Sequence, residues 1–128
     1  MQQRRKLVVG NWKMNGGLEA NAALLSSLVS VHVSASRDRA FDCDVAVCVP
    51  FPYLSQAQKA VAGSKLAIGS QDVSEFESGA YTGEVSASML KEFDCRYAIV
   101  GHSERRTWFG DSSERVAAKA ERAIATGL

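Results

Sequence analysis

The sequence predicts an α/β fold built on a parallel β-sheet. Its apolar runs are short, rich in β-branched residues and not alternating, which is typical of strands buried on both faces. Stretches with helical spacing separate these runs, so the predicted order is βαβαβαβα. Two architectures fit that order: a small doubly wound domain, or the first half of a (β/α)₈ barrel, which needs roughly 250 residues. Periodicity alone leaves both open.

The first two predicted βα units fill the first half of the chain. A strand at residues 7–9 ends at Gly10, and a helix follows whose apolar face is expected at Leu18, Ala22, Leu25 and Val29. A second strand at 45–49 stops at Pro50. Pro52 then opens a short helix with Tyr53, Ala57 and Val61 on one face.

The second half of the chain repeats the pattern twice. A third strand at 66–68 leads into a long polar segment, after which Ser86 caps a short helix. A fourth strand is predicted at 98–100. Asp111 and Glu114 have the spacing of a capping box for a last helix. That helix has its apolar stripe and its glycine stop at Val116, Ala120, Ile124 and Gly127.

Composition indicates one compact globular domain and excludes several classes of protein. The chain has 128 residues, of which 46% are apolar and 23% charged. Its net charge of +1 argues against a nucleic-acid or anionic-membrane surface, and no apolar run suits a membrane span. The apolar run near the N-terminus is too short for a secretory signal. The three cysteines have neither a metal-binding nor a disulfide spacing, so we expect free thiols in a reducing compartment. The protein is therefore expected to be cytoplasmic.

Polar side chains collect where the predicted strands end. They are Asn11 and Lys13 after the first strand, Gln71 and Asp72 after the third, and His102, Ser103 and Glu104 after the fourth. In both candidate architectures ligands meet the carboxyl ends of parallel strands. We therefore expect these three clusters to share one rim and to form a binding site.

Each residue of the first and last clusters has a structural and a functional interpretation. Lys13 is either a solvated lysine or the group that holds an anion or stabilises an oxyanion. Asn11 either caps a turn or orients Lys13. His102 is a neighbour of a helix cap, a core imidazole, or a neutral imidazole that donates to a carbonyl oxygen and exchanges its proton.

The neighbouring charges suit ion pairs better than catalysis. Glu104 is expected to pair with Lys13 or a nearby arginine. Arg105 and Arg106 are expected to make ion pairs, with Asp111 and Glu114 as the local candidates. No metal is expected, because His32 is predicted far from the rim and no cluster has ligand spacing. The glycine-rich motifs of nucleotide-binding folds are missing from the sequence as well.

Four segments of the sequence resemble the triosephosphate isomerase family. They are "VVGNWKMN" (8–15), "QDVS" (71–74), "GAYTGEVSASMLKEF" (79–93) and "GHSERR" (101–106). The resemblance covers essentially all of this chain but only about the first half of the family's barrel. It therefore implies a TIM (β/α)₈ barrel of which residues 1–128 supply about the first four βα units.

The resemblance also implies an activity. The family interconverts dihydroxyacetone phosphate and glyceraldehyde 3-phosphate through an enediolate, in glycolysis and gluconeogenesis, without a cofactor. By motif match, Asn11 and Lys13 contact substrate and Lys13 supplies the positive charge. His102 is the neutral catalytic electrophile, an established property of this family. Ser103 and Glu104 support the site.

The resemblance further implies a homodimer. The segment 74–84 corresponds to a protruding loop that enters the partner subunit, and Thr82, Tyr81 and Glu77 belong to it. Asp94 departs from the family's usual glycine, although aspartate tolerates a left-handed backbone.

The family's glutamate base and lid loop lie in the later half of the barrel, so this chain alone is expected to be inactive. Two alternatives remain at this point. One is a genuinely short, non-enzymatic half-barrel that serves as an interaction module. The other is a small nucleotide-binding domain, which lacks its phosphate loop.

Overall fold

The strand order distinguishes the two predicted architectures. The computed structural model describes residues 4–37 and 43–128. Four parallel strands lie in the order of the chain, and each pairs with the next. They are β1 (Lys6–Asn11), β2 (Cys43–Val49), β3 (Ala67–Ser70) and β4 (Tyr97–Ala98). A doubly wound sheet reverses its order part-way, whereas a barrel steps in one direction, so the sheet is an arc of a barrel.

The helices follow the predicted alternation, with one addition. They are α1 (Leu18–Arg37), α2 (Leu54–Val61) after a 3₁₀ turn at Phe51–Tyr53, α3 (Ala87–Glu92), α4 (Ser103–Phe109) and α5 (Ser113–Thr126). The sequence did not predict α4 as a separate helix. It forms between β4 and α5 because His102 caps its start and Gly110, in a left-handed conformation, ends it.

The core lies between the middle of the sheet and helices α1, α2, α3 and α5. Its buried apolar residues include Val47, Val49, Ile68, Leu54 and Leu90. The expectation that every strand is buried on both faces is wrong for β1, because β1 lies at the edge of the sheet. Leu7, Val8 and Val9 there are 43%, 57% and 42% exposed.

The buried face of α1 is turned relative to the prediction. Leu18 is 66% exposed and Ala22 is exposed as well, and over residues 18–33 the buried ones are Asn21, Leu25 and His32. Asn21 is drawn inward by polar contacts, since its amide donates to Gln56 Oε1 over 3.1 Å. The first buried apolar residue of α1 is therefore Leu25, about two turns after Leu18.

The start and the buried face of α5 also differ from the prediction. Ser112, not Asp111, is the cap, and its hydroxyl accepts a hydrogen bond from the backbone N–H of Arg115 over 3.1 Å. Asp111 is instead buried against basic side chains. Ile124 is 73% exposed, whereas Lys119 and Ala123 are buried. The predicted capping box and the place of Ile124 in the stripe were therefore wrong.

Two local predictions are confirmed. Ser86 caps α3, and its hydroxyl accepts from the backbone N–H of Met89. Asp94 has a left-handed backbone with φ 58°, and its carboxylate accepts from Gln58 Nε2 over 2.6 Å. Aspartate thus adopts, at the turn into β4, a backbone conformation that usually favours glycine.

Candidate active site

A pocket of about 320 Å³ opens at the carboxyl ends of the strands. It is lined by residues of all three predicted clusters and by the segment after β2: Asn11, Lys13, Met14, Pro50, Phe51, Pro52, Gln71, Asp72, His102, Glu104, Arg105 and Phe109. Its walls carry two cations, an imidazole, two side-chain amides and two carboxylates. The three clusters thus lie together at one rim.

The loop after β1 holds Lys13 in an unusual conformation. Lys13 has φ 55°, a region that costs a residue with a β-carbon about 1–2 kcal/mol. Two hydrogen bonds hold it there: Asn11 Oδ1 accepts from the Lys13 backbone N–H over 2.9 Å, and Gln71 Nε2 donates to the Lys13 carbonyl over 2.8 Å. Asn11 therefore orients Lys13, and the strain is kept at the pocket wall.

The side chain of Lys13 is paired with Glu104. Lys13 Nζ donates to Glu104 Oε1 over 2.6 Å, although both side chains are half exposed. This hydrogen bond and the positive charge of Lys13 outweigh the effect of burial and lower the pKa of the Glu104 carboxyl. The carboxylate is thus kept ionised and fixes the position of the ammonium at the pocket.

His102 is the cap residue of α4, and its capping bond defines which nitrogen carries the proton. Its Nδ1 accepts from the backbone N–H of Glu104 over 3.1 Å. Glu104 Oε2 lies 3.6 Å from the same nitrogen, which is beyond hydrogen-bond reach. An accepting nitrogen carries no proton, so neutral His102 has its N–H at Nε2.

Ser103 and the two arginines that follow His102 differ in their exposure and in their partners. Ser103 is exposed at the first position of α4. Arg105 makes the predicted ion pair with Asp111, at 3.0 Å, and a second one with Asp72, at 3.2 Å. Arg106 instead donates to the carbonyl of Gly101 and to the hydroxyl of Ser113, so the ion pair expected for it was wrong.

An ion network extends from the wall of the pocket into the interior, and the sequence did not predict its central residue. Lys119 is 2% exposed, and its Nζ donates to Asp72 Oδ1 over 2.8 Å and to Asp111 Oδ2 over 2.9 Å. We call Asp72, Arg105, Asp111 and Lys119 the buried network. Lys119 lies three residues after Val116 and four before Ala123, on the buried face of α5. That helical spacing was the available signal.

The network acts on the ionisation of Asp111. Burial by itself would raise the pKa of this carboxyl, but hydrogen bonds from Lys119 and Arg105 and their positive charges outweigh it and lower the pKa. Asp111 is therefore ionised in the folded protein at neutral pH. Its contribution to stability is present above the ordinary carboxyl pKa and is lost as the pH falls through the lowered one.

The thiols lie away from this chemistry. Burial raises the pKa of Cys48 and of Cys95 to about 11, so both are protonated and unreactive near neutral pH. In the ranges 4–37 and 43–128 no three His, Cys, Asp or Glu residues are placed to hold a metal ion.

Comparison with known proteins identifies the family. The sequence model of triosephosphate isomerase matches residues 6–128. The chain belongs to the triosephosphate isomerase family. A triosephosphate isomerase from Herminiimonas arsenicoxydans is 57% identical over 125 residues, which are 98% of this chain and 48% of that protein. One from Azoarcus sp. (strain BH72) is 58% identical over 123 residues, or 96% of this chain and 47% of the relative.

The solved structures give the same result for the fold. The crystal structure of triosephosphate isomerase from Bartonella henselae matches with a TM-score of 0.83 at 36% identity, covering 98% of this chain and 49% of that one. The chain thus has the fold of the first four βα units of a TIM barrel and spans about half the length of its triosephosphate isomerase relatives. No helix in the described part of the chain is long and apolar enough to cross a membrane.

Proposed function

We propose that residues 1–128 are the amino-terminal half of a triosephosphate isomerase barrel domain and that the complete protein is a cytoplasmic enzyme. It interconverts dihydroxyacetone phosphate and D-glyceraldehyde 3-phosphate through an enediolate, in glycolysis and gluconeogenesis. One observation carries the proposal: a pocket at the strand ends holds a fixed ammonium beside an imidazole whose N–H is at Nε2. This pair suits a phosphorylated substrate in which negative charge develops on a carbonyl oxygen.

The two catalytic groups have complementary tasks. The Lys13 ammonium attracts the anionic substrate and stabilises the oxygen on which charge develops, and Asn11 contacts the substrate while holding Lys13 in place. His102 donates its Nε2 proton to that oxygen when a base removes a carbon-bound proton, and later takes a proton back. Glu104 and Ser103 support these groups, Glu104 by pairing with Lys13.

The general base is proposed to come from the later half of the barrel. General base catalysis contributes about 10²–10⁴-fold, so a chain limited to these 128 residues is expected to be inactive. The chemistry of the described half is limited to electrophilic and electrostatic assistance. Both reaction directions use the same groups, because the enediolate has one oxygen on each of the two carbons between which the proton is transferred.

The proposal is tested on the protein translated from the complete reading frame. Its intact mass should be about twice the 13.8 kDa of this chain, since the chain spans about half of its relatives. It should interconvert the two triose phosphates in a coupled assay, and the isolated 128 residues should not. A mass equal to 13.8 kDa without isomerase activity would refute the proposal and favour a short half-barrel that serves as an interaction module.

We further propose that the segment 74–84 forms the contact of a homodimer. The segment is ordered by its own contacts: Phe76 and Tyr81 stack with ring centroids 3.7 Å apart, and the Ser74 N–H donates to the Val85 carbonyl over 2.8 Å. Phe76 and Tyr81 are nevertheless 37% and 41% exposed. Such a preformed aromatic loop suits insertion into a partner subunit, where Thr82 would lie near the partner's pocket.

The rest of the proposed contact surface is consistent with this arrangement. Met14, at the rim of the pocket, is 95% exposed, and an apolar side chain there would gain from being covered by a second subunit. Glu77 is 82% exposed and lies 3.6 Å from Arg122, a geometry in which it would remain at the polar edge of the contact.

Tyr81→Ala in the complete protein should weaken the dimer, because it removes both the aromatic surface and the stack that shapes the loop. The dissociation constant from sedimentation equilibrium should rise about tenfold or more. Lys59→Ala, at an exposed position on α2 outside this segment, is the control and should leave the dissociation constant unchanged. Equal dissociation constants for Tyr81→Ala and the wild type would rule out this loop as the contact.

A further inference from the structure

The buried network is built from charges that balance. Lys119 Nζ donates to Asp72 over 2.8 Å and to Asp111 over 2.9 Å, whereas Arg105 Nε donates to Asp111 over 3.0 Å and forms an ion pair with Asp72 at 3.2 Å. Asp111, Lys119 and Asp72 are buried, whereas the Arg105 side chain is 31% exposed at the wall of the pocket. The four side chains form a closed ring of alternating charge.

Such a ring is expected to contribute little to the net free energy of folding. Desolvation of buried ions offsets most of their attraction, and apolar residues of similar volume often stabilise a core equally well. The ion pairs of the ring do fix the relative orientation of the segments that carry them, because each pair is short and has a specific geometry. The ring joins three parts of the fold: the loop after β3 through Asp72, helix α4 through Arg105, and helix α5 through Lys119.

The position of Arg105 connects the ring to the active site. Arg105 lies in the first turn of α4, and its backbone N–H donates to the carbonyl of His102 over 2.9 Å. The N–H of Glu104, its neighbour, is the donor to His102 Nδ1. Because α4 has only seven residues, a tilt of Arg105 would move His102 and Glu104 with it.

We propose that the buried network is a positioning device: it holds the amino-terminal turn of α4 against the end of β3, with Lys119 and Asp111 as positioning residues for His102 and Glu104. The part of this inference that concerns catalysis rests on the proposed isomerase function. The part that concerns the state of the His102 ring does not. Lys119 and Asp111 act through Arg105 and are not assigned a contact with substrate.

The test uses Asp111→Asn and Lys119→Met in the complete protein, at concentrations where it has the wild-type oligomeric state. Asp111→Asn keeps the size of the side chain and is the variant expected to fold in any case. We expect kcat to fall about tenfold with KM nearly unchanged, because misplacing a catalytic group by a fraction of an ångström is enough for that loss. Glu121→Gln, an exposed position on α5, is the control and should match the wild type.

A second measurement separates positioning from general destabilisation. The ¹⁵N shifts of the His102 ring should show a single tautomer protonated at Nε2 in the wild type and a mixture of tautomers in Asp111→Asn. Lys119→Arg keeps the positive charge that Lys119→Met removes. It should therefore have a higher kcat than Lys119→Met and the ¹⁵N shifts of the wild type.

The alternative outcomes are distinct. A lower Tm in Asp111→Asn together with unchanged kcat and unchanged ¹⁵N shifts would overturn the proposal, because the network would then serve stability alone. A rise in KM without a fall in kcat would overturn it as well. If the wild-type protein shows no isomerase activity, the proposed function fails, and the ¹⁵N shifts alone decide whether the network positions His102.

Discussion

His102→Gln in the complete protein is expected to lower kcat by about 10²–10⁴-fold, the usual contribution of a positioned acid or base. The imidazole N–H at Nε2 would be lost, and the glutamine amide cannot exchange a proton with the enediolate oxygen. KM should change much less, since the imidazole acts mainly in the transition state. Steady-state kinetics in both directions would give the two parameters separately.

The controls follow from the double task of His102. The ring also caps α4, so a loss of activity has to be separated from a loss of the cap. Asparagine is a good cap residue, and His102→Asn should therefore keep the Tm of the wild type while losing the same activity. Thr107→Ala, exposed on the same helix, should change neither. Wild-type turnover in His102→Asn would refute the catalytic assignment.

Lys13→Met is the second substitution with a large expected effect. It removes the one charge that the proposed mechanism places on the developing oxyanion, and kcat/KM should fall by about 10²–10³-fold. It also removes the hydrogen bond that holds Glu104, so the pKa of that carboxyl should rise toward its ordinary value. Kinetics and a ¹³C NMR titration of the Glu104 carboxyl measure the two effects independently.

Lys6→Met serves as the matched control for this variant. Lys6 is an exposed lysine on the same strand that leads to Lys13, and its loss removes the same charge from the protein. It should leave kcat/KM and the pKa of Glu104 unchanged. If Lys13→Met kept the kcat/KM of the wild type, the ion pair with Glu104 would have only a local structural role.

The strands were predictable from the sequence because their signal is local. Residues 46–49 of the run at 45–49 are buried, and a short apolar run rich in β-branched residues is the pattern expected of such a strand. The clusters at the strand ends were predictable for a related reason. Parallel strands place their carboxyl ends on the same side of the sheet. Asn11, Gln71 and His102, which follow three of these strands, therefore line the same pocket.

The predictions that failed did so because the pairing of buried charges overrides the spacing of apolar and capping residues. Asp111 has the spacing of a cap, but the attraction of Lys119 and Arg105 turns its carboxylate inward and leaves the cap to Ser112. Ile124 has the spacing of a core residue, but Lys119 occupies the buried face. Local periodicity contains no information about which charges will be neutralised across the fold.

The order of the strands has a consequence for synthesis on the ribosome. Each strand pairs with the one made just before it, so the sheet can be assembled while the chain is still emerging. The outer edge of β1 is different, because in a closed barrel its second neighbour is the last strand to be made. Until then Leu7, Val8 and Val9 would remain accessible, and β1 is where a nascent chain of this kind would first engage a chaperone.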